Sequence, residues 1–77
     1  MRLEVRLYAT LRRYVPDAPA GQLAVDFAGG TAGDLMARLG IKAEDVHMLM
    51  INSVRATLEV PLADGDRVGI FPAVGGG

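Results

Sequence analysis

Three consecutive glycines, Gly75, Gly76 and Gly77, follow the apolar run Phe71-Pro72-Ala73-Val74. The last glycine carries the α-carboxylate. Such a group has a reference pKa of about 3.3–3.7, so it is ionised at neutral pH and is a poor electrophile. It becomes an acyl donor only after activation, for instance as an acyl-adenylate. Glycine suits that use. A backbone without Cβ atoms passes through a narrow channel, adopts positive φ, and crowds the carboxyl carbon least. Phe71 to Val74 would anchor the root while Gly75 and Gly76 thread toward a partner's active site. The plainer reading is a frayed end, because terminal residues are commonly loose and glycine adds to that. On local physics alone, fraying is the simpler of the two.

Other candidate chemistry is sparse. The run Ala28-Gly29-Gly30-Thr31-Ala32-Gly33 precedes a helical pattern and raises the question of phosphate binding. It lacks the Lys-Ser/Thr of a P-loop and the spacing of a dinucleotide fingerprint, so a turn into a helix is expected. Asp64 and Asp66 flank Gly65, but no further carboxylate completes a cation loop. His47 stands alone, with no nucleophile near it in sequence, and reads as a surface or core-edge residue. Arg12 and Arg13 read as a solvated pair. The chain has no cysteine. No catalytic residue, metal site or bound cofactor is therefore expected, and the chain is not expected to be an enzyme by itself. Any ATP needed to activate Gly77 would be used by a partner.

Composition narrows the classes further. The 77 residues suit one small domain, read as spanning 1–77 with a flexible glycine tail at 75–77. An apolar fraction of 51% is ample for a packed core. The formal net charge of −1 is not the footprint of a nucleic-acid binder. Lys42 is the only lysine; the other cationic side chains are arginines. No apolar run approaches membrane-spanning length. Charges recur through Met1 to Arg13, which argues against a signal peptide. Without a signal or cysteines, a cytoplasmic address is expected, with neither nucleic acid nor membrane as partner.

The elements that position the tail follow from periodicity. Arg2 to Ala9 alternates, with Leu3, Val5, Leu7 and Ala9 on one side and Arg2, Glu4, Arg6 and Tyr8 on the other. A helical turn over Thr10 to Tyr14 is expected before Pro16 and Pro19. Gln22 to Ala28 reads as a second strand pairing antiparallel with the first. Thr31 is a good N-cap, Asp34 sits at the third helical position, and Gly40 suits the left-handed residue past the end. Ile41 to His47 reads as a connector with a 3₁₀ turn. Met48 to Asn52 is a third strand, a tight turn follows at Asn52-Ser53, and Ser53 to Val60 continues as a fourth. Asp64-Gly65 marks a turn before the last strand, Arg67 to Val74. There Val68 and Ile70 face the core, and Arg67, Gly69 and Phe71 face out. The first and last strands are expected as central neighbours. By phase, Tyr8 and Phe71 then meet on the outer face, with Arg2, Arg6, Arg55 and Arg67 sharing it. Such a patch is expected to serve as a partner interface, with the arginines complementing an acidic surface.

The order β β α β β β is that of an α+β domain. Together with the terminal glycines it resembles the β-grasp, ubiquitin-like sulfur carriers of the MoaD/ThiS type. The resemblance is greatest to the small subunit of molybdopterin synthase. It covers nearly the whole chain and rests on "VRLYATLRRY" near the start and on the frame within "INSVRATLEVPLADGDRVGIFPAVGGG". It implies a mixed sheet of four to five strands with one main helix on one face. It also implies that an E1-like adenylyltransferase adenylates Gly77, and that a sulfurtransferase converts it to a thiocarboxylate. The sulfur would then pass to a pterin precursor on a large molybdopterin synthase subunit, or to an equivalent acceptor enzyme. Gly76 and Gly77 match the family's glycine pair, Gly75 a small position before it, and Phe71 and Pro72 the root of the tail. Two features depart from the pattern: Arg55 stands where an apolar sheet-face residue is frequent, and Asn52-Ser53 replaces Asn-Gly. The ending "VGGG" is shared with carriers for thiamin thiazole formation. A protein modifier joined to lysines through Gly77, and an interaction module with an inert tail, remain as alternatives.

Overall fold

A computed structural model describes residues 1–72. Its strands are β1 (Arg2–Leu7), β2 (Gln22–Asp26), β3 (Val46–Ile51), β4 (Val54–Ala56) and β5 (Arg67–Pro72), with one α-helix, α1 (Ala32–Leu39). Short 3₁₀ segments span Ala9–Tyr14, Pro19–Gly21 and Ala43–Asp45. The strands form one mixed sheet in the order β2-β1-β5-β3-β4. β1 and β5 run parallel at its centre, and every other pairing is antiparallel. One main helix on a mixed five-stranded sheet is the β-grasp arrangement.

Alternation explains the centre. Leu3, Val5 and Leu7 of β1 and Val68 and Ile70 of β5 are 0–1% exposed, while Arg2, Glu4, Arg6 and Arg67 between them are exposed. Register sets Val5 beside Val68 and Leu7 beside Ile70, so one face of the central pair is wholly aliphatic. Burying each such side chain contributes about 1.5–3 kcal/mol. Ala32, Leu35 and Met36 of α1 close the same core, joined by Val25, Phe27, Leu49 and Leu62.

Local chemistry starts and stops α1. The Thr31 hydroxyl accepts from Asp34 N (3.2 Å), and the Asp34 carboxylate accepts from Thr31 N (2.9 Å). This reciprocal cap satisfies two backbone donors, and the threonine contributes about 1 kcal/mol. Gly40 ends the helix at φ +75°, where a Cβ would be strained.

Several boundaries differ from the sequence expectation, among them the end of β2, which stops at Asp26 instead of Ala28. Ala9 leaves the strand with φ +50° and opens the 3₁₀ turn, so it is not a core-facing strand residue. β3 begins at Val46, not Met48, because Val46 pairs with Pro72 across a bulge. The bulge falls where Pro72 has no N–H for the ladder. β4 stops at Ala56 instead of reaching Val60. Beyond it the backbone serves the helix: Leu58 O and Val60 O accept from Gly33 N and Ala32 N, each at 2.9 Å. A Cβ on Gly33 would lie 3.3 Å from Leu58 O, so glycine permits this close approach.

The expected turns form. Asn52 and Ser53 have φ +52° and +69°, as a two-residue hairpin of type I′ needs. The Asn52 amide also donates to Asp66 Oδ1 and accepts from Arg67 N, both at 2.9 Å, tying this turn to the start of β5. Among the described residues no helix is long and apolar enough to cross a membrane.

Candidate functional site: the root of the tail and the open sheet face

Gly75, Gly76 and Gly77 lie outside the described residues, and so do Ala73 and Val74. What the structure does set out is the point from which β5 delivers them. Phe71 lies beside Met48 of β3, Pro72 beside Val46, and Ile70 beside Leu7 of β1. The end of β5 is thus held between the end of β1 and the start of β3.

Tyr8 directly follows β1, and its N–H donates to Ile70 O at 3.1 Å. This bond carries Tyr8 alongside Phe71. Their rings stack with centroids 4.2 Å apart and planes 5° from parallel. A Cβ at Gly69 would meet both rings at ordinary contact distance, 3.5 Å from Tyr8 and 3.6 Å from Phe71. The two rings are half-buried on the sheet face away from α1. They border a shallow depression of about 320 Å³ whose lining includes Arg6, Met50, Arg67 and Gly69.

Arginines frame this face, but carboxylates share it. Arg6 donates to Gln22 Oε1 (2.7 Å), and its guanidinium lies 6.0 Å from the Tyr8 ring centre. Arg2 pairs with Asp26 at 3.6 Å, both highly exposed. Glu4 accepts from Gln22 on the same face. Arg55 lies opposite Met50 across the β3–β4 pair and is exposed. Among the described residues only Arg2 of these four pairs with a carboxylate; Arg6 is held by the Gln22 amide, and Arg55 and Arg67 make no ion pair.

A second cluster near the tail root escaped the sequence reading. Arg13 is not simply solvated: its guanidinium is 3.3 Å from Asp45 Oδ2, and it covers the Tyr14 ring at 5.2 Å. The Tyr14 hydroxyl donates to the same Asp45 oxygen at 2.7 Å. These contacts link the turn after β1 to the turn before β3, on either side of the end of β5. The partners are 31 residues apart, a separation at which no local pattern signals them.

Other candidates resolve into structural roles. The first-turn N–H groups of α1 bond to Val60 O, Leu58 O and the Thr31 hydroxyl, so the glycine-rich approach offers them no phosphate. The Asp64 carboxylate accepts from Arg2 N, and that of Asp66 from Ala63 N and Asn52. His47 is exposed at the β3 bulge. No group of three or more potential metal ligands occurs among the described residues.

The parallel central pair ends beside the stacked rings of Tyr8 and Phe71, at the root of the terminal glycine run. The ThiS family model matches residues 5–77. This chain belongs to the ThiS family. It is thus a small ubiquitin-like protein of the ThiS/MoaD sulfur-carrier type. No curated protein sequence is significantly similar. Solved structures agree on the fold. SAMP1 from Haloferax volcanii is 25% identical with TM-score 0.73, and the match covers 100% of both chains. A putative molybdopterin converting factor subunit 1 from Pyrococcus furiosus is 22% identical with TM-score 0.75, over 96% of this chain and 99% of that one. The complex of subunits 1 and 2 of molybdopterin-converting factor from Helicobacter pylori contributes a chain 24% identical with TM-score 0.64, covering 100% of both.

Proposed function

We propose that this ThiS-family chain carries sulfur on Gly77. An E1-like adenylyltransferase adenylates the terminal carboxylate with ATP, a sulfurtransferase converts it to a thiocarboxylate, and an acceptor enzyme takes the sulfur. The observation that carries this reading is the family match, which runs through the glycines to residue 77. The chain's own part is delivery. Tyr8 and Phe71 give partners an aromatic anchor at the tail root, Pro72 ends the strand, and Gly75 and Gly76 thread Gly77 into the partner's site. Arg55 and Arg67 supply the charge that orients an acidic partner surface.

The favoured acceptor is a large molybdopterin synthase subunit. The Helicobacter pylori neighbour is a subunit 1 solved with its subunit 2, and the Pyrococcus furiosus neighbour bears the same subunit 1 description. The thiazole-forming branch is the other sulfur-transfer outcome. Intact mass spectrometry, after incubation with an activating enzyme, ATP and a sulfur donor, tests the carrier chemistry. One oxygen of Gly77 is expected to exchange for sulfur. Adenylation without exchange, under conditions that thiolate a known carrier, overturns the reading.

A second reading, conjugation through Gly77 to lysines of other proteins, is favoured by SAMP1, a small archaeal modifier protein, among the structural neighbours. Trypsin cuts last after Arg67, so conjugates would carry Val68–Gly77 as a branch on the target lysine. Such branches on cellular proteins would favour the modifier.

A further inference from the structure

We infer that the free edge of β4 is a second binding site, which takes an extended acidic segment of a partner protein as a sixth strand of the sheet. The segment carries one carboxylate with an apolar residue on either side. The inference does not depend on the chemistry proposed for Gly77.

The sheet order leaves β4 at one end, with β3 on one side and no strand on the other. Ile51 and Val54 flank the two-residue turn at Asn52-Ser53, and such a turn closes on a hydrogen-bonded pair. Antiparallel pairs alternate, so the next one, Met50 with Arg55, is not hydrogen-bonded. The Arg55 N–H and C=O therefore point away from β3. Neither finds a backbone partner elsewhere among the described residues. An unpaired edge of this kind is a template for another strand.

The side chains around it are apolar and uncovered. Among the described residues only three large apolar side chains are exposed: Met1, Val54 and Leu58. Val54 lies in β4 and is 67% exposed; Leu58 follows two residues after the strand. Val54 faces the α1 side of the sheet, as its partner Ile51 does, yet Ile51 is buried beneath the fold and Val54 is not. On that side a shallow crevice of about 280 Å³ lies beside β4. Val46, Leu49, Ala56 and Leu58 line it, together with His47 and Glu59. The other edge strand, β2, has no exposed large apolar side chain; its Leu23 is half-buried and its Val25 buried.

Arg55 selects the occupant. It faces the open side of the sheet, is exposed, and makes no ion pair among the described residues. A second copy pairing antiparallel about Arg55 would set two guanidiniums opposite each other, an unfavourable cross-strand pair. A carboxylate in that place is favourable. An antiparallel partner exchanges both backbone hydrogen bonds with the one residue opposite Arg55. That residue shares the face of Arg55 and is acidic. Its two neighbours point to the α1 side, opposite Val54 and Ala56. One covers Val54 and the other reaches the crevice, so both are apolar.

The test titrates the isotopically labelled full chain with a cyclic β-hairpin peptide whose free strand reads Thr-Val-Asp-Val-Thr. Cyclisation holds that strand extended, so binding does not have to order it. Amide shifts centred on Val54 to Thr57, and slowed hydrogen exchange at the Arg55 amide, are expected. Methylating the backbone nitrogen of the peptide's Asp removes one edge bond and is expected to abolish both signals. Arg55→Glu is expected to weaken binding about fivefold and to transfer the preference to the same hairpin with Lys in place of Asp. Arg55 is exposed, and thermal unfolding checks that this variant keeps the parent's stability. Shifts centred on Tyr8 and Phe71 would overturn the inference, as would no shifts at millimolar peptide. Equal binding of the Asp and Lys hairpins to the parent chain, or a dimer of the free chain joined through β4, would overturn it too.

Discussion

Under α1 the sheet buries Leu3, Val5, Leu7, Val68 and Ile70 at 0–1% exposure, whereas the opposite face leaves Tyr8, Met50 and Phe71 half-buried beside arginines. The two faces come from alternate residues of the same strands, so strand phase alone divides them. The covered face holds the aliphatic burial from which a small domain draws its stability. The open face holds an aromatic stack and loosely partnered charges, which add little to folding and much to recognition. Substitutions should therefore sort by face: on one side they unfold the protein, and on the other they weaken partner binding in a folded protein.

The largest expected effect tests the covered face. Ile70→Ala should lower stability by about 2–5 kcal/mol, measured by urea unfolding. In a domain of this size each kcal/mol shifts the midpoint temperature by about 4–8 °C. A loss under about 1 kcal/mol would mean that the central pair is not the stability centre. One residue along the chain, Phe71→Ala should weaken partner binding by about 2 kcal/mol, or roughly 30-fold, by titration calorimetry. Its stability should fall by only about 0.5–1.5 kcal/mol, the contribution of an aromatic pair. Unchanged binding would remove the stack from the interface.

Thr31→Ala sharpens the comparison from the covered side. Losing the cap should cost about 1 kcal/mol in chemical unfolding, with partner affinity untouched. The smallest stability effect belongs to Arg55→Glu combined with Arg67→Glu, within about 0.5 kcal/mol of the parent. Association should nevertheless slow in stopped-flow mixing, and the difference should shrink as salt is raised. A double reversal with unchanged association would show that these arginines do not face an acidic surface.

Much of this architecture was legible because its signals are local. Alternation in β1 and β5 assigned each residue to a face, including Tyr8 and Phe71. Thr31, Asp34 and Gly40 marked the helix by capping chemistry, and Asn52-Ser53 marked the hairpin. What was illegible involved distant partners. Val54 to Val60 has the composition of a strand, yet only Val54–Ala56 pairs, because Leu58 and Val60 turn their carbonyls to the start of α1. The Arg13–Tyr14–Asp45 contacts link residues that no periodicity relates.

By itself the sequence determined the phase of the strands, the ends of the helix, the near-exclusion of lysine and the glycine run at the tail. Each depends on a residue's own geometry or on neighbours within a few positions. Only the tertiary structure decided that β1 and β5 lie parallel and adjacent. That pairing, made across some sixty residues of chain, stacks Tyr8 on Phe71 and sets Met1 and the tail root at opposite ends of the sheet. The reason is physical. A strand's pattern fixes which side it buries, but its neighbour is chosen by how five strands and one helix share a single core.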